Sequence, residues 1–152
     1  MVYFQYLDTP LGTLRIGASE TAVTELSFQP VGGEATPNEV TQEAALQLGA
    51  YFVGARRAFD LPLAPAGTAF QHRVWEALRQ VPFGEAVTYG ELAARVSCGS
   101  AQAVGQAVGR NPLLIVVPCH RVLAAGGREG GFSAGLWRKE NLLKLENIPF
   151  RT

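Results

Sequence analysis

Cysteine is scarce in this chain: Cys98 and Cys119 are the two in 152 residues. Two thiols cannot build a disulfide framework, and no Cys-x-x-Cys or His-x-x-x-His spacing offers a zinc site. Long apolar runs are missing as well. The longest aliphatic one, Leu113 to Val117, is far shorter than the ~20 residues a membrane helix needs. The opening Met1 to Pro10 has neither the basic head nor the apolar stretch of a secretory signal. Together these absences predict a soluble, unprocessed protein of a reducing compartment, hence cytoplasmic, with no contact to membrane. Charge is thin at 17% and balanced, thirteen basic against thirteen acidic side chains, yet 47% of the residues are apolar, enough for a packed core.

The balance hides an asymmetry. Residues 1–67 hold three basic and seven acidic side chains, net minus four, whereas residues 68–152 hold ten and six, net plus four. A polyanionic partner would therefore meet the second half, although a charge of this size only permits such binding.

Short alternating runs at Tyr3–Leu7, Thr13–Gly17 and Val23–Phe28, parted by turn clusters, predict a small antiparallel meander. Ala45, Leu48 and Phe52 recur at helical spacing and predict a covering helix over about 38–54. Pro62 and Pro65 break both periodicities, so residues 58–67 read as a linker between a domain at 1–57 and one at 68–152. The fold class is α+β: a small N-terminal sheet with its helix, then a mostly helical C-terminal domain.

In that second part, Thr68-x-x-Gln71 and Thr88-x-x-Glu91 are capping boxes that open two helices. The second, from Tyr89 to about Val96, is followed by Ser97-Cys98-Gly99 and a further helical segment from Ser100 to Arg110. This is either a helix-turn-helix or a plain helical hairpin. Its second helix is poor in bulk, although each glycine inside a helix costs about 1 kcal/mol relative to alanine; something close by needs the room. Leu113 to Val117 reads as a short buried strand delivering Pro118-Cys119-His120-Arg121. A Gly-rich loop and a last helix from Leu136 to Glu146 follow.

Cys119 after a buried strand is either a small core residue or a nucleophile held by its frame. Glu146 lies on or beside the stripe of Leu142 and Leu143. It is either a solvated helix-end carboxylate or the partner of His120, orienting the imidazole and stabilising its protonated form, which would favour a thiolate. His72 reads as a surface or half-buried side chain, Cys98 as structural, and Trp75 and Trp137 as packing residues. Arg121 is either a brace for the site loop or a surface charge.

The order and spacing of Asn111-Pro112, Pro118-Cys119-His120-Arg121-Val122, Gly131-Phe132-Ser133-Ala134-Gly135-Leu136, Lys139 and Glu146 resemble the active-site half of the O6-alkylguanine-DNA alkyltransferases. Phe83-Gly84-Glu85, Thr88-Tyr89 and Ala103-Val104-Gly105 fit as well. Over residues 1–57 the match is compatibility with that family's small ribonuclease H-like domain. The resemblance implies direct-reversal DNA repair without cofactor or metal. Cys119 would take the alkyl group irreversibly, with His120 as general base through a water and Glu146 as its orienter. Asn111 would brace the turn before the nucleophile, and Tyr89 would donate to guanine N3. The amide of Ser133 would face O6, Phe132 would form an aromatic wall, and carbonyls of Cys119 and Val122 would read the exocyclic amine.

The partner so implied is double-stranded DNA, entered from the minor groove with the damaged nucleotide flipped out; Ala101, Ala103 and Gly105 would permit close approach, and Arg110 would reach a phosphate. A monomer is expected. One departure stands out: Gln102 occupies the place of the family's intercalating arginine, and it lacks both the charge and the flat guanidinium. That departure keeps a feebly active or non-enzymatic damage sensor as an alternative. A major-groove regulator would want base-reading side chains on the recognition helix, and a cysteine hydrolase would need an oxyanion hole.

Overall fold

The computed structural model describes all residues, Met1–Thr152, and divides into two compact units, Met1–Ala66 and Gly67–Thr152. No helix is long and apolar enough to cross a membrane.

In the first unit, β1 (Tyr3–Thr9), β2 (Gly12–Ala18) and β3 (Val23–Phe28) form an antiparallel meander in the order β1-β2-β3. The Thr9 hydroxyl closes the first hairpin, donating to Gly12 O at 2.7 Å and accepting from Leu11 N. Alternation places Leu14, Ile16 and Ala18 on the covered face of β2. The helix α1 (Glu39–Phe52) packs on that sheet, opened by a capping box between Asn38 and Thr41.

Its buried stripe is Thr41, Ala44, Leu48 and Tyr51, with Gln47 beside it, and so is turned by one residue from the expected Ala45, Leu48 and Phe52. The reason is Gln47. Its amide exchanges hydrogen bonds of 2.9 Å with both the N–H and C=O of Asp60, a buried pairing that a view of apolar residues alone overlooks. Most of the segment read as linker is thereby tied into this unit. Leu63 bridges to Val23 in parallel, with Val23 N donating to Pro62 O and Ala64 N to Val23 O.

The second unit is helical: α2 (Ala69–Arg79), α3 (Tyr89–Arg95), α4 (Ala101–Gly109) and α5 (Leu136–Leu145). Both capping boxes form, Thr68 with Gln71 and Thr88 with Glu91. The pair α3 and α4 makes the helix-turn-helix, braced from behind by the indole N–H of buried Trp75 donating to Ala107 O at 2.9 Å. A feature absent from the sequence reading is a short parallel pair, β4 (Val87–Thr88) with β5 (Val122–Leu123). It lies directly before Tyr89 and directly after Arg121, and so joins the start of α3 to the segment that bears Cys119.

The expected strand at Leu113–Val117 does not form. These residues are buried but fold back on themselves, with Val117 N donating to Leu113 O, Leu114 bridging Val117, and Ile115 in the left-handed region at φ 74°. An unbroken apolar run without alternation is equally compatible with a buried turn, and Asn111 decides between them. Its Oδ1 accepts from Leu113 N at 2.9 Å and its Nδ2 donates to Val117 O at 2.8 Å, binding both ends of the turn.

Candidate active site

Residues Cys119–Arg121 form a single 3₁₀ turn after the Asn111-bound loop, and all three side chains are buried. Cys119, 3% exposed, borders a cavity of about 300 Å³, lined also by Tyr89, Gly105, Val108, Gly109, Gly131, Phe132 and Ser133. That volume lies at the small end of ligand pockets. Three parts of the fold meet there: the start of α3, one face of α4 and the loop before α5. Val108 and Gly109, three and four residues after Gly105, share its helical face, a spacing signal the sequence already carried.

Behind the thiol lies a charged cluster. His120 Nε2 and Glu146 Oε2 are 2.6 Å apart, both side chains without solvent exposure. The same carboxylate accepts from Arg121 through Nε at 2.8 Å and Nη2 at 3.0 Å, and from the amide of Gly84 at 3.1 Å. Arg121 Nη1 donates to Val81 O at 2.7 Å. Burial alone would raise the Glu146 carboxyl, but hydrogen bonds and charge from His120 and Arg121 outweigh it and hold it well below the usual carboxylate range. Arg121 therefore shares the charge of Glu146, and the carboxylate both orients the imidazole and raises its proton affinity.

The electrostatics correct one expectation. Burial lowers the His120 pKa, against the opposing pull of Glu146, and pushes the Cys119 thiol up to about 11, against Asn111 and Lys139. At neutral pH the resting pair is a neutral thiol and a neutral imidazole, not a thiolate and an imidazolium. With the Nε2 hydrogen given to Glu146, Nδ1 carries the lone pair, and it is buried with no hydrogen-bond partner in the protein. Tyr89 has its hydroxyl pKa raised by burial and then by Cys119, as its place on the cavity wall requires.

Two residues that the motif match placed without a role contribute as well. Lys139 is fully buried, with Nζ donating to Val122 O at 2.6 Å and Gly131 O at 3.0 Å, and burial brings its pKa down to about 8. It ties the nucleophile's segment to the cavity wall. Gly84 donates from a left-handed backbone, φ 84°, where a side chain would be strained. Neither could be found from periodicity, because each acts through the partners that tertiary folding brings.

The remaining expected residues lie elsewhere. Val122 has a buried side chain and a carbonyl occupied by Lys139, and Cys119 O accepts from Val122 N. Ala101, Gln102 and Arg110 are exposed along α4 and Ala103 half-buried, none of them on the cavity wall. His72 is exposed, its ring edge-on to Trp75. Cys98 is half-buried in the turn between α3 and α4, its Sγ 3.6 Å from Ser100 O. Trp137, expected to pack, is 50% exposed.

Comparison with known proteins gives this geometry its family. Residues 2–65 match the ribonuclease-like domain of 6-O-methylguanine DNA methyltransferase, and residues 69–148 match its DNA-binding domain. A methylated-DNA–protein-cysteine methyltransferase of Mycolicibacterium paratuberculosis is 42% identical, the alignment covering 96% of this chain and 93% of the relative. One of Methanosarcina acetivorans is also 42% identical, over 95% and 98%. The crystal structure of Mycobacterium tuberculosis O6-methylguanine methyltransferase superposes with a TM-score of 0.87 at 41% identity, covering 96% of this chain and 93% of that one. The structure of Mycobacterium tuberculosis OGT in complex with DNA gives 0.86 at 41%, over 96% and 94%. With both domain models matched in order and relatives of this identity aligned over nearly the whole length, the chain belongs to the 6-O-methylguanine DNA methyltransferase family.

Proposed function

We propose that this chain repairs DNA by transferring the alkyl group of O6-alkylguanine, a methyl group above all, irreversibly to Cys119. One observation carries the reading: the thiol borders a cavity while the adjacent imidazole, its Nε2 side fixed by Glu146, keeps a proton-accepting Nδ1. In the step, the Cys119 Sγ–H proton passes to His120 Nδ1 through a water while Sγ forms a bond to the alkyl carbon. The carbon–O6 bond breaks, and its electron pair leaves with guanine, offset by a hydrogen bond from the Tyr89 hydroxyl to N3. Ser133 offers its amide toward O6 and Phe132 walls the base; the carbonyls of Cys119 and Val122, already engaged by Val122 N and Lys139 Nζ, read the exocyclic amine through their second lone pairs. Asn111 and Glu146 position the thiol and the imidazole. Because the resting thiol is neutral, attack and proton loss are coupled, which guards against reaction with stray electrophiles.

The partner is double-stranded DNA with the damaged nucleotide flipped out, a reading supported by the relatives' names and by the DNA complex of the similar protein. Residues 68–152 carry the chemistry, and Ala101, Gln102, Ala103 and Arg110 face the groove. A cytoplasmic site accords with the two free thiols. The sensor alternative finds no footing, since the acceptor thiol is present on the cavity wall and the relatives bear a methyltransferase name.

Incubation with an oligonucleotide containing O6-methylguanine, followed by intact-mass measurement, should show one methyl replacing one thiol hydrogen, once per chain. Cys119→Ala should abolish the gain and keep DNA binding. Repeated turnover, or binding by the unaltered chain with no gain in mass, rules this function out.

A further inference from the structure

We propose that Trp137 and Arg138 form a stacking platform beside the Cys119 cavity that holds an unpaired base of single-stranded DNA next to the alkylated guanine; this rests on the repair reading above. Trp137 is 50% exposed and its neighbour Leu136 39%, at the start of α5, where most tryptophans would be covered. The guanidinium of Arg138 lies 4.6 Å from the Trp137 ring centroid, and Arg138 Nη1 donates to Ala134 O at 2.7 Å. That carbonyl belongs to the loop whose preceding residues, Gly131, Phe132 and Ser133, form the cavity wall. The platform is therefore continuous with the site rather than remote from it.

Two side conditions favour a nucleobase as occupant. The indole lies over Gly135, where an added methyl would come within 3.2 Å of Trp137 Nε1, and the helical turn that carries it is held by Asn141 Nδ2 donating to the main-chain O of Trp137 at 2.7 Å. A flat ring with a cation on it suits a π-faced, negatively charged polymer, and stacking on aromatic side chains is the sequence-tolerant way of holding unpaired bases. Paired bases present no such face, so the platform favours single-stranded over duplex substrate. It also supplies the aromatic and cationic character that Gln102 does not.

The test is emission and binding with the full chain. Trp75 is buried and bonded to Ala107, so a change in tryptophan emission on adding an unmodified single-stranded oligonucleotide reports Trp137. Emission should fall, and Trp137→Ala should weaken single-strand binding about 5- to 150-fold while Trp137→Phe stays within a few-fold of the parent. Unchanged emission, unchanged affinity of Trp137→Ala, a Trp137→Phe as weak as Trp137→Ala, or stronger quenching by duplex than by single strand each overturn the platform. Methyl gain on Cys119 of the parent chain with methylated oligonucleotide is the separate readout of the repair reading. Failure of that gain in the parent chain would sink the repair reading instead, while the binding measurements still judge the platform.

Discussion

Between them, Cys119 and His120 manage one proton, and their environment decides when it moves. Burial raises the thiol to about 11 and lowers the imidazole from its ordinary 6.5, so each group sits neutral across the physiological range. The sign follows directly. Lowering pH protonates Nδ1 and removes the base, so the transfer rate falls; above neutrality Lys139 titrates first, at about 8, and loses a charge that favours the thiolate, while the thiol itself ionises only near 11. Single-turnover rates should therefore not rise between about pH 7 and about pH 9. They should decline at low pH with a midpoint below 6.5. A rate that instead climbs through pH 8–9 would mean an ordinary, exposed thiol. Glu146 adds both orientation and basicity to the imidazole, the second partly offset by Arg121. Glu146→Gln strands that guanidinium in the interior and should cost about 3–5 kcal/mol in urea unfolding. Cys119→Ala, which removes a small neutral group, should cost much less.

At the level of elements, the nucleophile is set by a turn and a strand pair rather than by a long rigid strand. Leu113–Val117 carries the strained Ile115, held in the left-handed region because Asn111 closes the turn from both sides. Asn111→Ala would leave the Leu113 N–H unpaired in the interior and Val117 O with Cys119 N as its remaining donor, a loss of about 1–3 kcal/mol. It should also slow methyl transfer more than it slows oligonucleotide binding, measured by single-turnover kinetics against binding titration. Equal effects on both would assign Asn111 to general stability alone. The turn was hidden from the sequence because five consecutive apolar residues carry no period; their burial was legible and their path was not. The helices were legible because Thr68, Thr88 and their glutamine and glutamate partners mark starts by local bonding that needs no tertiary context.

Across the whole molecule, the chain is neutral but unevenly so, and the positive excess lies in residues 68–152, where the site is. Gln102 stands exposed on α4 without a charge to offer DNA. Gln102→Arg should tighten duplex binding and steepen its salt dependence by about one unit of log–log slope. It should also raise the transfer rate on duplex; no change in either quantity would remove α4 from the interface. Caps and periodicity, properties of contiguous chain, were enough by themselves for the α+β class and the helix starts, and the resemblance in motif order proposed the set of Cys119, His120 and Glu146, which the residues alone had left open. What only the tertiary structure decided is how distant groups meet. Arg121 and the Gly84 amide converge on Glu146, Lys139 bridges Val122 to Gly131, and the β4–β5 pair anchors the helix start bearing Tyr89 beside the thiol's segment. Those partners lie 8 to 62 residues apart, and the burial that sets their proton affinities exists only once the chain has closed around them.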